Sequence, residues 1–364
     1  MRIDVGEISL EKGENIMGLR GFIIKRTLFS IFLVFFVLTL NFIIFQLMPG
    51  NPLEMFAGAN KIKTPEMRDE IIKRFGLDKS VGERFVLYIE NMLTFNFGVS
   101  YRTGDYIIKD VGNRMFNTLL LMGTSEILAI AIGIALGVIA AHRRGGIYDN
   151  GSVIASLTTY SLPSFWIGMM LLLIFYFNLG WFPNAGTYPA NWAIVYQTTG
   201  GLPPKIILGN LAGIQLALPS LLEIQGRLTH LFLPVLTLTL FSYGGYLLLT
   251  RATMLETLSE DYIVTARAKG LKERTVLFKH ALKNASLPLI TNAALTFGFI
   301  LSGAIITEQV FSYAGLGHWT WLSINYYDYP ALQTIFFLIA LCVIVANFIA
   351  DVLYGVVDPR IKYG

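Results

Sequence analysis

Several long apolar runs constrain the fold of this chain more strongly than any other feature of its sequence. A helix needs about 20 consecutive, mainly apolar residues to cross the hydrocarbon core of a bilayer. Residues 27–48 form one such run, and further runs follow at intervals to the end of the chain. Because the runs are continuous and do not alternate with polar residues, they predict membrane-spanning helices and disfavour a β-barrel.

The composition supports an integral membrane protein. Hydrophobic residues make up 54% of the 364 residues and charged residues 14%, whereas soluble domains carry roughly 25% charged residues. The formal net charge of +4 is modest and gives no reason to expect a nucleic-acid partner. The single cysteine, Cys342, excludes an internal disulfide, and the four histidines are too far apart in sequence for a metal-ligand pattern. We therefore expect this chain to bind no metal or cofactor.

Six of the apolar runs are predicted to span the membrane, which gives an all-α, polytopic fold. The predicted spans cover residues 27–48, 117–141, 152–179, 230–254, 289–310 and 331–354. The predicted outer segments are residues 49–116, 180–229 and 311–330, and the predicted inner segments are residues 1–26, 142–151, 255–288 and 355–364. The fold therefore has an extracytoplasmic insert after the first span and a long cytoplasmic loop between the fourth and fifth spans.

The distribution of Lys and Arg predicts the orientation. Cytoplasmic loops carry an excess of these residues, although the rule is weak for long regions such as residues 49–116. We leave residues 49–116 out of the count and add Arg251 to the inner side. The inner segments then hold 16 Lys and Arg residues, and the other two outer segments hold 2. We therefore expect a protein of the cell membrane with both termini in the cytoplasm.

Polar and small residues within the spans mark contacts between helices. Asn41 is expected to face a neighbouring helix, with a role in transport as the less favoured alternative. Gly133 and Gly137 form a small-xxx-small pair that suits close helix packing, and Pro163 is expected to kink the third span. Glu126 is a candidate for a transport pathway because a carboxylate is costly in lipid, and a hydrogen bond to a neighbouring helix is the alternative.

The two longer outer segments are expected to fold at the membrane surface. Residues 53–116 hold ten basic and nine acidic residues and contain two amphipathic stretches, Glu66–Arg74 and Tyr88–Phe97. We interpret this part as a small, partly helical unit that serves either as a stabilising lid or as a docking surface. The apolar stretch Ile206–Leu222 is expected to form a helix that lies on the membrane surface or dips into it.

The loop Leu255–Ile290 is the one long polar segment in the second half of the chain. It predicts two short helices, about Glu260–Lys269 and Glu273–Leu282, broken at Gly270, since glycine readily adopts the conformation that ends a helix. Pro288 then marks the start of the next apolar run. Considered by its charge alone, the loop is a basic connector whose positive charges keep it on the cytoplasmic side of the membrane. Its bases are Arg267, Lys269, Lys272, Arg274, Lys279 and Lys283.

The order of residues in this loop carries more information than its charge. Tyr262 is followed by A-R-A-K-G-L at residues 266–271, by H-A-L-K-N at residues 280–284 and by Pro288. This order resembles the coupling loop of the permease subunits of ABC importers, and most of all their dipeptide and oligopeptide branch. The Glu-Ala-Ala sequence of the wider family is absent, and Pro288 lies further from the glycine than in sugar permeases. Both departures fit the peptide branch.

Further motifs extend the resemblance over nearly the whole chain. They are P-G-N-P (49–52), F-G-L-D (75–78), N-F-G-V-S (96–100), S-L-P-S-F-W (161–166), H-L-F-L-P (230–234), F-S-Y-A-G-L-G (311–317), D-V-L-Y (351–354) and D-P-R-I (358–361). Ala314 stands where the family usually has proline. The usual start of the family corresponds to Met17, so the first 16 residues are expected to be an extension or a misassigned start.

The resemblance implies an ATP-driven importer in which this chain is a non-catalytic permease subunit. The implied partners are a second homologous permease, two ABC ATPase subunits, an extracytoplasmic solute-binding protein and membrane lipid. The chain has no G-x-x-x-x-G-K-[ST] motif to bind nucleotide phosphates, so ATP and Mg²⁺ are expected on the ATPase subunits. The substrate is expected to be a di- or oligopeptide, with oligosaccharides and nickel complexes as alternatives.

The family's loop also implies roles for individual residues. The residues expected to shape the helix that docks to the ATPase are Glu260, Asp261, Arg267, Lys269 and Gly270. The residues expected to fill the groove of the ATPase are Tyr262, Ala266 and Leu271. The candidates for the substrate pathway are polar residues of the spans, Glu126, Ser302, Thr307 and Glu308.

Functions of two other classes are kept as alternatives. An ion-coupled carrier or channel would need no ATPase, but it would have a chain of intramembrane acids, and no such chain is visible beyond Glu126. An intramembrane hydrolase would pair a serine such as Ser302 with a histidine inside the bilayer, and every histidine lies near the end of a span or in a loop. Three aromatic residues of the outer segment suit either sugar stacking or interfacial anchoring; they are Tyr188, Trp192 and Tyr196.

Overall fold

Helices form most of the chain in the computed structural model, which describes residues 19–47, 79–195, 206–211, 214–298, 300 and 304–357. The helices are α1 (Leu19–Leu47), α2 (Val81–Leu93), α3 (Ile108–His142), α4 (Ile147–Ser161), α5 (Ser164–Leu171), α6 (Trp192–Val195), α7 (Leu221–Leu258), α8 (Asp261–Ala268), α9 (Glu273–Thr275), α10 (Leu282–Gly298), α11 (Ile305–Val310), α12 (Leu316–Asn325) and α13 (Tyr329–Val357). Two turns with π-helical hydrogen bonding extend α5 and join α9 to α10; they are Leu172–Asn178 and Val276–Ala281.

Four of the described helices are long and apolar enough to cross a membrane. They contain the candidate spans Gly21–Leu47, Ile108–His142, Leu221–Leu258 and Tyr329–Phe348. Helix α4 and the helix that follows it make a fifth candidate if the bent pair is counted as one span. The predicted fifth span, residues 289–310, is divided between α10 and α11. A polytopic helical membrane protein is therefore confirmed, whereas the count of six spans stays a prediction.

The third predicted span is broken and not merely kinked. Helix α4 ends at Ser161, the next helix begins at Ser164, and their axes differ by 101°. Leu162 and Pro163 between them have extended backbones, with ψ of 138° and 137°. Proline disfavours helical geometry at the residue before it, which explains the position of the break. Pro288, by contrast, lies inside α10 and does not mark its start.

The prediction of a surface helix over Ile206–Leu222 is wrong. Two short strands, β1 (Ile206–Leu211) and β2 (Ile214–Leu218), pair as an antiparallel hairpin instead. Glycine and asparagine at residues 209–210 and a glycine at residue 213 weaken a helix, whereas the isoleucines suit a strand. The helix begins only at Leu221, where the hydroxyl of Ser220 caps it by accepting the N–H of Glu223 at 3.2 Å.

The helices α3 and α7 make the largest helix–helix contact in the described structure. The predicted small-residue pair lies in this contact. A Cβ atom added to Gly133 would lie 2.4 Å from the Cβ of Tyr246, and one added to Gly137 would lie 2.5 Å from the Cβ of Thr250. Both distances are far below van der Waals contact, so only glycine allows the two backbones to approach this closely.

Buried polar side chains join α1, α2 and the segment before α3 to the start of α13. Asn41 of α1 donates hydrogen bonds to the hydroxyl of Tyr88 at 2.8 Å and to the carbonyl of Gln333 at 3.0 Å. The expectation that Asn41 faces a neighbouring helix is therefore confirmed. Asp328, which is fully buried, accepts the N–H of Tyr101 at 2.9 Å and the hydroxyl of Ser100. The residues before α3 are thereby fixed to the start of α13.

The substitution Gly137→Ala tests the contact between α3 and α7. The added methyl group must displace the backbone of α7, and overpacking of this kind costs about 1–3 kcal/mol. We expect the midpoint of thermal unfolding of the purified protein to fall. Gly123→Ala is the matched control on the same helix, since nothing lies within 4 Å of its added Cβ and alanine favours helix by about 0.5–1 kcal/mol. Equal midpoints for the two variants would contradict the packing argument.

Candidate functional site

The polar loop between α7 and α10 folds into a short helix, a break and a second helical segment. Helix α8 ends at Ala268, and Gly270 has a φ of +75°. The N–H groups of Lys269 and Gly270 close the helix end on the carbonyls of Thr265 and Arg267, at 3.0 and 2.9 Å. The predicted break at Gly270 is therefore present, and the positive φ explains why glycine stands there.

One face of α8 packs against the rest of the chain. Ile263 is fully buried and Ala266 is 6% exposed. Both belong to an apolar cluster with residues of α3, α7 and the segment after Gly270, including Val138, Met254 and Val276. The structure therefore differs from the expectation for Ala266, whose side chain is directed into its own chain and not outward. Residues three apart share one face of a helix, so burial of Ile263 also buries Ala266.

The opposite face of α8 is open. Tyr262 and Leu271 are 38% and 39% exposed, and the charged candidates Glu260, Asp261, Arg267 and Lys269 are exposed as well. Two further apolar side chains that the sequence analysis did not single out are also exposed, Val264 at 59% and Phe278 at 49%. The helical period could have identified Val264, because it lies next to the buried Ile263 and off the buried face.

Glu273 of this loop is paired with Arg267 and lies beside the end of α3. Arg267 donates to Glu273 at 2.8 Å, and His142, the last residue of α3, has its Nδ1 3.7 Å from the same carboxylate. The hydrogen bond from Arg267 lowers the pKa of the Glu273 carboxyl, and His142 lowers it further. Glu273 therefore stays ionised, and the pair persists, to a lower pH than an isolated carboxyl would allow.

A second ion pair joins α4 and α7 on the same side of the protein. Asp149, which is 1% exposed, accepts a hydrogen bond from Nη2 of Arg251 at 2.8 Å and another from the N–H of Gly145 at 2.8 Å. The sequence predicts that Arg251 lies at the inner end of its span, but it gives no sign of a role for Asp149. The aspartate precedes its partner by 102 residues, so no local pattern could have joined them.

Two of the four pathway candidates lie in one cavity. A cavity of about 470 Å³ between α3, α5, α7 and α11 is lined by Glu126 and Thr307, together with Ser125, Ser164 and Ser242. The hydroxyl of Tyr246 on α7 donates a hydrogen bond to Oε1 of Glu126. Ser302 lies outside the described residues. Within the described part of the chain, no three His, Cys, Asp or Glu side chains form a group that could hold a metal ion.

Glu308, the fourth candidate, does not line this cavity. It is fully buried and accepts the hydroxyl of Thr118 at 2.8 Å and the N–H of His318 at 2.9 Å. Thr118 in turn accepts the N–H of Leu316 at 2.8 Å. The carboxylate thus caps the first turn of α12, where free N–H groups favour a negative charge. A Cβ atom at Gly315 would lie 2.4 Å from Oε2 of Glu308, which explains the glycine.

The outer aromatic residues are used for packing within the chain. Tyr188 stacks on Trp192 with ring centroids 6.0 Å apart and an angle of 10° between the rings. Trp192 is 6% exposed, and its ring lies where a Cβ atom of Gly226 would stand. This stack leaves little of the indole open to a sugar. Tyr196 lies outside the described residues.

Removal of the Glu308 carboxylate tests its role as a cap. Glu308→Ala leaves the Thr118 hydroxyl and the His318 N–H without their acceptor, and each unsatisfied buried group costs about 1–3 kcal/mol. We expect a lower midpoint of thermal unfolding and faster hydrogen exchange in α12. Glu90→Ala is the control, because Glu90 is exposed. A midpoint equal to that of the control would contradict the proposed cap.

Comparisons with known families give two matches that cover different parts of the chain. Residues 133–363 match the family described as binding-protein-dependent transport system inner membrane component. Residues 19–121 match the N-terminal family of the same membrane components. Together the two matches contain the polar loop, the helices α1 and α2, and the cavity residues Ser164, Ser242 and Thr307, whereas Glu126 lies in the short stretch between them.

Similar curated proteins are permeases of peptide transport systems. The di/tripeptide transport system permease DppB of Pseudomonas aeruginosa is 36% identical over 342 residues, which cover 94% of this chain and 98% of the relative. The oligopeptide permease AppB of Bacillus subtilis is 36% identical over 343 residues, 94% of this chain and 99% of the relative. The glutathione permease GsiC of Escherichia coli is 33% identical over 346 residues, 94% of this chain and 99% of the relative.

Among solved structures, a chain of the MetNI methionine ABC transporter in inward-facing conformations is similar, with a TM-score of 0.49 and 16% sequence identity. The match covers 69% of the present chain and 97% of the transporter chain. The sequence relationship is much stronger, because the matched families together extend over most of the polypeptide. The chain belongs to the binding-protein-dependent transport system inner membrane components, the non-catalytic, multi-pass permease subunits of ABC importers.

Proposed function

We propose that this permease carries di- and oligopeptides across the cell membrane, together with a second, homologous permease. One observation carries the proposal for the substrate. The chain is 36% identical, over 94% of its length, to a permease named for di- and tripeptide transport, and similar to others named for oligopeptides and glutathione. A soluble or lipid-anchored binding protein outside the cell would deliver the peptide.

The exposed side of α8 is the surface that we assign to the ATPase. We define the docking face as the exposed residues Glu260, Asp261, Tyr262, Val264, Arg267, Lys269 and Leu271. It combines apolar side chains with charges of both signs at a helix that projects from the membrane-spanning part. Apolar anchors surrounded by polar groups are the usual composition of a protein interface. ATP and Mg²⁺ would be bound by two separate ATPase subunits.

The packing of α8 supports a mechanism of coupling. Ile263 is buried against the ends of α3 and α7, so movement of the docking face displaces those helices with it. Tyr246 of α7 contacts the cavity residue Glu126 and lies about 18 Å from the end of α7 at Leu258, from the rise of 1.5 Å per residue. Closure of the ATPases would thus tilt the walls of the cavity and switch its access from outside to inside.

We further propose that the protein lies in the inner, or cytoplasmic, membrane with both termini inside. The docking face must be on the side where ATP is available, and α8 carries that face. The excess of Lys and Arg in the predicted inner segments, 16 against 2, supports this orientation. Glu126 and Thr307 would then line the substrate pathway near the middle of the bilayer.

Charge placed in the apolar part of the docking face tests the contact with the ATPase. We expect Val264→Glu to prevent copurification of the ATPase subunits, because loss of a hot-spot contact near the centre of an interface costs about 2 kcal/mol or more, roughly thirtyfold in affinity. Val86→Glu is the matched control, since Val86 of α2 is 64% exposed against 59% for Val264. The assignment fails if both variants retain the ATPases equally in mild detergent.

Uptake by the reconstituted importer tests the substrate. We expect proteoliposomes that hold this permease with its partner subunits and binding protein to accumulate a radiolabelled dipeptide only when ATP is supplied. An oligosaccharide and a nickel complex, offered under the same conditions, should not accumulate. Uptake of either alternative in place of the dipeptide would overturn the peptide proposal, and uptake without any ATPase would favour an ion-coupled carrier.

A further inference from the structure

Glu126 lines the cavity between α3, α5, α7 and α11. It follows Ile108, the start of α3, by 18 residues and precedes His142, the end of α3, by 16 residues. The side chain therefore lies near the middle of a helix that spans the membrane. Among the described residues that line the cavity, Glu126 is the one with an ionisable side chain, and its neighbours there are hydroxyl-bearing or apolar.

The carboxylate of Glu126 has an incomplete set of hydrogen bonds. Its Oε1 accepts the hydroxyl of Tyr246, whose oxygen also lies 3.3 Å from Oγ1 of Thr296. Its Oε2 makes no hydrogen bond within the described part of the chain. A carboxylate offers about four acceptor positions, and most of those of Glu126 are unused. Tyr246 donates its proton, so this arrangement presents the carboxylate as an acceptor.

We propose that Glu126 binds the α-ammonium group of the peptide as it passes through the cavity, an inference that rests on the peptide function proposed above. An ammonium group supplies three donors and a positive charge. Both match the carboxylate of Glu126, which is 6% exposed, because a hydrogen bond between charged partners is stronger than one between neutral groups. The hydroxyls of Ser125, Ser164 and Thr307 line the same cavity and offer acceptors for the remaining donors.

The cavity favours this ligand over the alternatives. Its volume of about 470 Å³ is within the range of roughly 300–1,000 Å³ that holds small molecules, and a dipeptide fits within it. A single carboxylate does not provide the several ligands that a metal ion takes from a protein. A neutral sugar hydroxyl would bind the carboxylate without the attraction between opposite charges, so it gains less from leaving water.

Direct binding to the assembled importer, without its binding protein, tests this proposal. The probes are a radiolabelled dipeptide and its N-acetylated form, which is neutral at the amino end, and binding is measured by equilibrium dialysis against the complex in lipid nanodiscs. We expect the free dipeptide to bind about 10- to 100-fold more tightly, the range for a hydrogen bond to a charged group. Equal affinities, or no binding of the free dipeptide, would overturn the proposal.

Variants at Glu126 distinguish the effect of its charge from an effect on the folding of the protein. Glu126→Gln should abolish the preference for the free amino group, whereas Glu126→Asp should retain it, because the charge remains. Thr158→Ala is the control, since Thr158 is exposed and does not line the cavity, and its preference should equal that of the unaltered protein. A preference that survives Glu126→Gln would assign the ammonium group to another site.

The same preparations keep this inference separate from the peptide function. If the unaltered importer accumulates the dipeptide but binds both forms equally, Glu126 is not the ammonium site and the peptide function stands. If it accumulates an oligosaccharide and no dipeptide, the peptide function itself fails, and the ammonium proposal fails with it.

Discussion

The close approach of α3 and α7 is the contact on which the other parts of the described structure depend. At Gly133 and Gly137 the backbone of α3 lies directly against the backbone and the Cβ atoms of α7. In lipid, helices gain little from hydrophobic burial against each other, so such van der Waals contact and a few polar bonds must hold them. The same α7 receives α4 at another glycine, because a Cβ atom at Gly244 would lie 2.9 Å from the carbonyl of Ser156. Both the cavity and the polar loop are built on this pair of helices.

Features set by local chemistry were predictable from the sequence. Apolar runs identified the principal spans, the spacing of Gly133 and Gly137 identified a packing face, and Gly270 identified a helix end. The first and last residues of the helices were not predictable in this way. An apolar run marks the part of a helix that lies in lipid, and the helix can continue beyond it into polar residues. Helix α3 begins nine residues before residue 117, the predicted start of the second span. These nine residues include charged side chains and are nevertheless helical.

Features set by distant contacts were not predictable. Proline at residue 163 indicates a bend, but the angle of 101° depends on what the two halves pack against. Carboxylates were recognised as costly, yet their partners lie far along the chain: Glu126 is 120 residues from Tyr246, and Glu308 is 190 residues from Thr118. A carboxylate that lines a cavity and one that caps a helix therefore look alike in the sequence. The structure separates them, since Glu126 lines a cavity and Glu308 does not.

The segment after Gly270 has a mechanical consequence. From Glu273 to Gly298 the chain is helical without interruption, through α9, the π-helical turn and α10. At 1.5 Å per residue this is a rod of roughly 39 Å. A rotation of about 10° at its end beside the docking face would carry the other end through roughly 7 Å, by simple leverage over that length. On the docking proposed above, such a rod would carry a sub-nanometre closure of the partner to a passage within the membrane, whereas a jointed linker would absorb it.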